Sequence, residues 1–231
     1  MELYYTENVK ENYLILKDDD FRHCTKVLRN IVGDTVNATD GKGNLYSGTI
    51  SEIFKNELKV NITNKTYHQN KEKFNLVIAP TKNSERIEWL VEKAVEIGIK
   101  SISFIICEHS ERKNINLERL EKIAISAMKQ SNKNWKPDIN EPIKFKKFIE
   151  NNINGGYIAH CYSGAKLLFK PENIKEDCLI LIGPEGDFSQ AEVKLALEND
   201  YKEVSLGESR LRTETAGLYA LCIYKIFSQI K

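Results

Sequence analysis

The chain has 231 residues, 41% hydrophobic and 29% charged, an ordinary globular composition that excludes a disordered or fibrous protein; at roughly 100 to 200 residues per domain the length fits one large domain or two small ones, two being the expectation. Lys plus Arg (34) against Asp plus Glu (33) leaves +1, so no bulk charge draws the protein to nucleic acid or a membrane, and any basic site must be local. Cys24, Cys107, Cys161, Cys178 and Cys222 are scattered, with no CxxC pair, no clustering with histidine, no basic-apolar leader and no long apolar run. These features predict reduced, mostly buried thiols in a cytoplasmic protein with no membrane span and no metal.

Residues 1–72 read as short strands with one helix. Asp18 to Asp20 can cap a helix through FRHCTKVLRN, with Phe21, Cys24, Val27 and Leu28 on one face and Gly33-Asp34 ending it. DTVNATD, the turn at Gly41 to Gly43, NLYSGTISEI and NELKVNITN follow as strands of alternating polarity, predicting a small barrel or sandwich. The polar stretch from Asn64 to Lys73 predicts the domain boundary.

From 73 to 231 strands alternate with longer helices, the rhythm of an α/β sheet. FNLVIAP is a buried strand. Ser84 can cap ERIEWLVEKAVEIG, whose Ile87, Leu90, Val91, Ala94 and Val95 form one stripe closed by Gly98. ISFIIC, GYIAHC, CLILI and EVSL read as strands, LERLEKIAISAMKQ as a helix, and Glu214 to Ile230 as a last helix apolar on most sides.

Two loops at strand ends stand out. The first, Gly183-Pro184-Glu185-Gly186-Asp187-Phe188-Ser189, follows CLILI where ligands sit in open α/β sheets, and glycine there permits close backbone approach. A plain strand-to-helix turn capped by Ser189 is an equal reading of that loop alone; it has neither a phosphate-loop nor a dinucleotide signature. The second runs from Leu206 to Ala216. The chain uses 27 Lys and only 7 Arg, yet Arg210 and Arg212 fall together here, which hints at bidentate or stacking geometry. Pairing with Glu208 or Glu214, with Thr213 as a helix cap, is the structural alternative. A third feature, Lys129 to Lys147, carries six Lys against two acids with Trp135 and Phe145 interleaved, a pattern that suits RNA or merely a solvated face; Arg22, Lys26 and Arg29 lie at helical spacing in the first domain.

LIGPEGDFS followed by LGESRLRTETA closely resembles the RsmE family of 16S ribosomal RNA methyltransferases of the SPOUT class. The likeness extends to HCTKVLRNIVGD, APTKNSERIEWLVEKAVEIGI and KQSNKNWKPDI. The resemblance implies an amino-terminal PUA-like RNA-binding β-barrel (1–72) and a carboxyl-terminal trefoil-knotted SPOUT α/β methyltransferase domain (73–231). It further implies a homodimer that uses S-adenosylmethionine to methylate N3 of one decoding-region uridine in 16S rRNA, on the assembled small ribosomal subunit. By position it assigns His160, Gly183, Glu185, Gly186, Leu206, Gly207, Leu211, Thr215 and Ala216 to the cofactor. Arg212 and Arg210 become candidates for stabilising charge, Glu214 or Glu185 for the proton acceptor, and Arg22, Lys26, Arg29, Lys133, Lys136 and Lys144 for RNA contact. The chain departs from the family at Lys129 to Lys133, where many members read EQSGR, and at Asp187, where GPEGG becomes GPEGD. A rRNA-binding assembly factor that has lost turnover, or a SPOUT enzyme for another RNA base, are the alternatives.

Overall fold

The computed structural model describes residues 2–152 and 154–230, and the chain divides into two compact units. The first runs to Lys71 and takes in Ile125–Lys136; the second holds Glu72–Ala124 and the chain from Pro137 onward. The sequence reading places all of 73–231 in one body, so the return of 125–136 to the first unit is a correction. Local bonds cause it. Gly43 N donates to Asn134 O at 2.8 Å, Lys136 N to Gly41 O at 2.9 Å, and Trp135 Nε1 to His68 O at 2.6 Å. The Trp135 ring lies so close over Gly43 that a Cβ there would sit 2.7 Å from it.

The first unit is a five-stranded sheet, β1 (Leu3–Tyr5), β2 (Tyr13–Lys17), β3 (Thr35–Thr39), β4 (Asn44–Ile53) and β5 (Glu57–Tyr67), in the order β1-β3-β4-β5-β2. Period-two alternation buries Leu14 and Leu16 of β2 and Leu58 and Val60 of β5 on the same face. The sheet curls until residues after β1 meet β2, with Ile15 N donating to Asn8 O at 3.0 Å and Thr6 Oγ1 to Ile15 O at 2.6 Å. That is a barrel's way of satisfying its edges. Two local expectations change. β5 extends through Asn64 to Tyr67, pairing with Ser47 to Asn44, although both of its faces there are exposed and give no apolar pattern to read. Helix α1 (Asp18–Arg22) widens into a π-type turn over His23–Val27, which keeps Phe21 and Cys24 inside but turns Val27 and Leu28 out, 63% and 45% exposed.

The second unit is built on seven strands that pair only in parallel. In chain order its elements are β6 (Phe74–Ile78), α2 (Ser84–Ile97), β7 (Ser101–Ile106), the part up to Ala124 of α3 (Leu117–Gln130), β8 (Asp138–Lys144) and α4 (Phe145–Asn151). β9 (Gly156–Ala159), β10 (Leu167–Leu168), β11 (Cys178–Ile182), α5 (Gln190–Glu198), β12 (Tyr201–Ser205) and α6 (Thr213–Ile230) follow. The sheet order is β10-β12-β9-β11-β6-β7-β8. β6 and β11 lie at its centre and are nearly continuous apolar runs, as strands covered on both faces must be. α2 packs Ile87, Leu90, Val91, Ala94 and Val95 inward as its spacing predicts, but Asn83, not Ser84, caps it by accepting Glu85 N. β8 reads DINEPIK and tolerates Pro142 because it is an edge strand bonded only to β7.

Candidate active site at the carboxyl ends of three parallel strands

β9, β11 and β12 are adjacent in the sheet order β12-β9-β11, so their carboxyl ends, Ala159, Ile182 and Ser205, open on one edge. A cleft of about 650 Å³ lies there, lined by these residues with Val204, Leu206, Leu211 and Ala216 as apolar wall and Gly183, Pro184 and Gly207 as backbone. Gly207 has φ +122 with open space around the position of a Cβ, so glycine is needed for the left-handed backbone and exposes its own peptide to the cleft. The loop after β11 ends in a capping box: Ser189 Oγ accepts Glu192 N and the Glu192 carboxylate accepts Ser189 N, so Ser189 does cap α5 while Gly183 and Pro184 lie in the cleft.

Of the residues singled out in the sequence, His160, Gly183, Glu185, Leu206, Gly207, Arg210, Leu211, Arg212 and Ala216 line the cleft; Gly186, Glu214 and Thr215 do not. Gly186 packs on His109, whose Cβ would be 3.0 Å from an added Cβ. Thr215 lies on the exposed side of α6. Glu214 is buried, its side chain 7% exposed, with Arg86 Nε of α2 at 3.8 Å and Oε2 without a hydrogen-bond partner. Thr213 is not the helix cap but its first residue, and its buried hydroxyl donates to Gly183 O at 3.1 Å, fastening one loop to the other.

The charges of the cleft are arranged unevenly. The guanidinium groups of Arg210 and Arg212 are exposed and have no ion pair or hydrogen bond among the described residues; Glu214 is turned away to Arg86, and Arg212 is bonded only through its backbone O, which accepts Ala216 N at 2.8 Å. Lys166 also lines the cleft, yet its ammonium is committed to His160 O at 2.6 Å and Tyr162 O at 2.7 Å. His160 is held as well. Tyr162 N donates to Nδ1 at 3.2 Å, so Nε2 carries the proton toward Glu203 Oε1 at 2.9 Å. The imidazole is therefore an oriented wall of the cleft. Glu185 accepts Lys82 N at 2.9 Å, Asp187 accepts Cys161 N at 2.7 Å, and Glu208 is the lining carboxylate left without a partner among the described residues. Burial, and then the Asp187 charge, push the Cys161 thiol up. Sequence reasoning missed Lys166, Cys161 and His109, which are single residues in irregular loops without a motif.

The basic residues fall on both units. Lys133 and Lys136 lie in the segment that joins the first unit, with Arg22, Lys26 and Arg29, while Lys144 ends β8 in the second. Arg22 pairs with Asp19, and Lys129 reaches Asp20 at 2.8 Å. Trp135, one of the two aromatic residues interleaved with these lysines, is spent on Gly43 and His68. Among the described residues no group of His, Cys, Asp and Glu could hold a metal ion, and no helix is long and apolar enough to cross a membrane.

A parallel sheet with a glycine-lined cleft at its carboxyl edge, preceded by a small β-barrel, is the architecture of a two-domain SPOUT-class RNA methyltransferase. Residues 68–225 match the RNA methyltransferase domain and residues 16–63 the RNA methyltransferase PUA domain. The fold is similar over its whole length to a crystal structure described as a probable rRNA-methyltransferase from Porphyromonas gingivalis, at 40% identity and TM-score 0.91, covering 100% of this chain and 99% of that one. It is similar also to a ribosomal RNA small subunit methyltransferase E from Neisseria gonorrhoeae bound to S-adenosyl methionine, at 26% identity and TM-score 0.82, covering 96% and 95%. A ribosomal RNA small subunit methyltransferase E of Buchnera aphidicola is 28% identical over 95% of this chain and 90% of its own. The chain belongs to the RsmE family of ribosomal RNA methyltransferases.

Proposed function

We propose that this protein uses S-adenosylmethionine to methylate N3 of a uridine in the 16S rRNA of the small ribosomal subunit. The observation that carries the reading is the pair of guanidinium groups, Arg210 and Arg212, standing without counter-ions among the described residues on the rim of a glycine-lined cleft. The cleft suits that cofactor: it has apolar walls for a nucleoside, exposed backbone at Gly183 and Gly207, and no phosphate cradle, for a ligand that has no phosphate. When bound, the cofactor supplies a methyl group on a positively charged sulfur.

The chain's own residues have to make uridine N3 a nucleophile, and N3–H holds its proton well above neutral pH. Arg212 and Arg210 stabilise the negative charge that develops on the ring as the proton leaves, and permanent cations fixed before the reaction do this without reorganisation. Glu214 is buried against Arg86 and Glu185 is bonded to Lys82 N, so the role of proton acceptor passes to Glu208, the unpartnered carboxylate of the cleft. Lys133, Lys136, Arg22, Lys26 and Arg29 on the first unit, and Lys144 on the second, hold phosphates of the RNA. The contact of Thr213 with Gly183, where the chain leaving β12 meets the loop after β11, supports reading this crossing as a trefoil knot. Tyr219 and Ile226, 46% and 57% exposed on α6, with Trp89 on α2 at 47%, offer an apolar face to a second copy of the chain. The test is mass mapping of methylated nucleotides in 16S rRNA from cells with and without the gene, then restoration with purified protein on small subunits. No change at any uridine N3 refutes the reading.

A further inference from the structure

Resting on the cofactor reading above, we propose that Asp187 is a positioning residue for the cofactor, its carboxylate holding the loop after β11 to the end of β9. β9 and β11 are paired up to Ala159 and Ile182, and beyond that register the two chains diverge around the cleft. Across the gap, Asp187 Oδ2 accepts Cys161 N at 2.7 Å, while Oδ1 accepts Phe188 N at 2.8 Å. Both oxygens thus receive backbone N–H groups, and a carboxylate makes such bonds shorter and stronger than a neutral acceptor does.

The backbone at this position is left-handed, with φ 65. Residues with a Cβ adopt it at a cost, and Asp is among the few that tolerate it because its short side chain bonds local backbone. Glycine would hold this turn without strain, so the side chain is what Asp adds. The rest of the loop is fixed from other directions. His109 Nδ1 lies 3.1 Å from both Gly186 O and Asp187 O and donates to them, and Tyr162 OH donates to Phe188 O at 2.7 Å above the fully buried Phe188 ring. None of those ties reaches the cleft side. Gly183, Asp187 and Cys161 all line it, and the Asp187 carboxylate joins its two walls through lining residues, whereas the Tyr162–Phe188 bond spans the same two segments between residues outside the lining. Cys161, exposed and with its thiol raised partly by the Asp187 charge, reports on the same gap.

The experiment uses the full chain as wild type, Asp187→Gly and Asp187→Asn, with S-adenosylmethionine titrated calorimetrically, the melting midpoint recorded, and the alkylation rate of Cys161 measured in a Cys222→Ser background. Asp187→Gly relieves the backbone while removing the tie, so its midpoint stays near wild type while cofactor Kd rises about tenfold. Asp187→Asn keeps an acceptor for one N–H but presents an amide to the other, and falls between the two. Cys161 alkylates faster in both variants because the neighbouring charge is gone. At saturating cofactor the KM for RNA is unchanged. Wild type that binds while Asp187→Gly binds within about twofold of it overturns this proposal alone. So does a fall in midpoint that tracks the loss of affinity, which would make the residue merely structural. Wild type that takes up no S-adenosylmethionine overturns the cofactor reading and this proposal with it.

Discussion

Replacing Arg212 with Ala removes a cation whose guanidinium has no partner among the described residues and faces the cleft, so the perturbation falls on the reaction and not on the fold. The magnitude follows from Coulomb's law: two unit charges about 5 Å apart interact by about 3.3 kcal/mol at an effective dielectric constant of about 20. Arg212 is exposed, and doubling the screening for water lowers that to about 1.7 kcal/mol. At about 1.4 kcal/mol per tenfold, kcat should fall about 20- to 300-fold, toward the upper end if the RNA excludes water from the cleft. Ground-state binding of the cofactor should stay within about tenfold, because the charge acts on the anionic base formed in the transition state. Lys at this position should restore little, since a point charge on a flexible stem does not reproduce a planar fork. The assay is single-turnover transfer of a labelled methyl group to small subunits at saturating enzyme, beside calorimetric titration of the cofactor and a thermal melt. Near-normal single-turnover rates, or a lowered melting point with proportional loss of binding, would refute the reasoning and make Arg212 a structural residue.

Glu208→Gln should lower the rate at neutral pH by about tenfold to a hundredfold and leave a rate that keeps rising with pH, as solvent takes over proton removal; a pH–rate profile parallel to wild type sinks the assignment. Asp40 accepts hydrogen bonds from Lys42 N, Asn44 N, Asn44 Nδ2 and Tyr46 OH; burial raises its pKa, but these donors outweigh burial and leave it below the usual carboxylate value. Its contribution to stability is therefore present above the unfolded value of about 3.9 and is lost as pH falls through the lower folded value. Asp40→Ala should destabilise the first unit by about 1 to 3 kcal/mol at neutral pH and flatten that acid dependence, measured by urea unfolding across pH. The triple change Lys26→Ala, Arg29→Ala and Lys133→Ala should reduce the slope of log binding constant against log salt by about two to three for small-subunit RNA, with cofactor affinity intact; an unaltered slope makes these residues a solvated face.

The parts of the fold that were legible are those where burial writes itself into local pattern. FNLVIAP and CLILI are apolar runs because β6 and β11 sit mid-sheet, and the stripe from Ile87 to Val95 is one face of α2. Edges are harder. β8 carries Pro142 and mixed polarity because only β7 needs its hydrogen bonds, and the end of β5 is polar because neither face is covered. The helical pattern of α3 runs unbroken from Leu117 to Gln130 although the division between units falls within it after Ala124; periodicity specifies a helix and is silent on which body it serves. In the site, glycine and arginine types marked both loops. The direction of Glu214 could not be read, because Arg86, which draws it away, lies on α2, far away in sequence. The same holds for His160, whose proton position is set by Tyr162 and Glu203.

The place of β11 between β9 and β6 has a consequence for how the protein comes to exist. Asn75 and Cys178, whose strands pair at the centre of the sheet, are 103 residues apart. β6 and β7 can dock early, being separated by one helix, but the inner flank of β6 stays open until almost the whole chain has left the ribosome. Closing so long a loop before any contact repays it makes for slow folding, and the waiting strand is apolar but for Asn75. A nascent chain interrupted before Cys178 would carry an intact first unit, a half-sheet with a bare hydrophobic edge, and no cleft. Refolding of the purified protein should accordingly be biphasic, with cofactor binding recovered only in the slower phase.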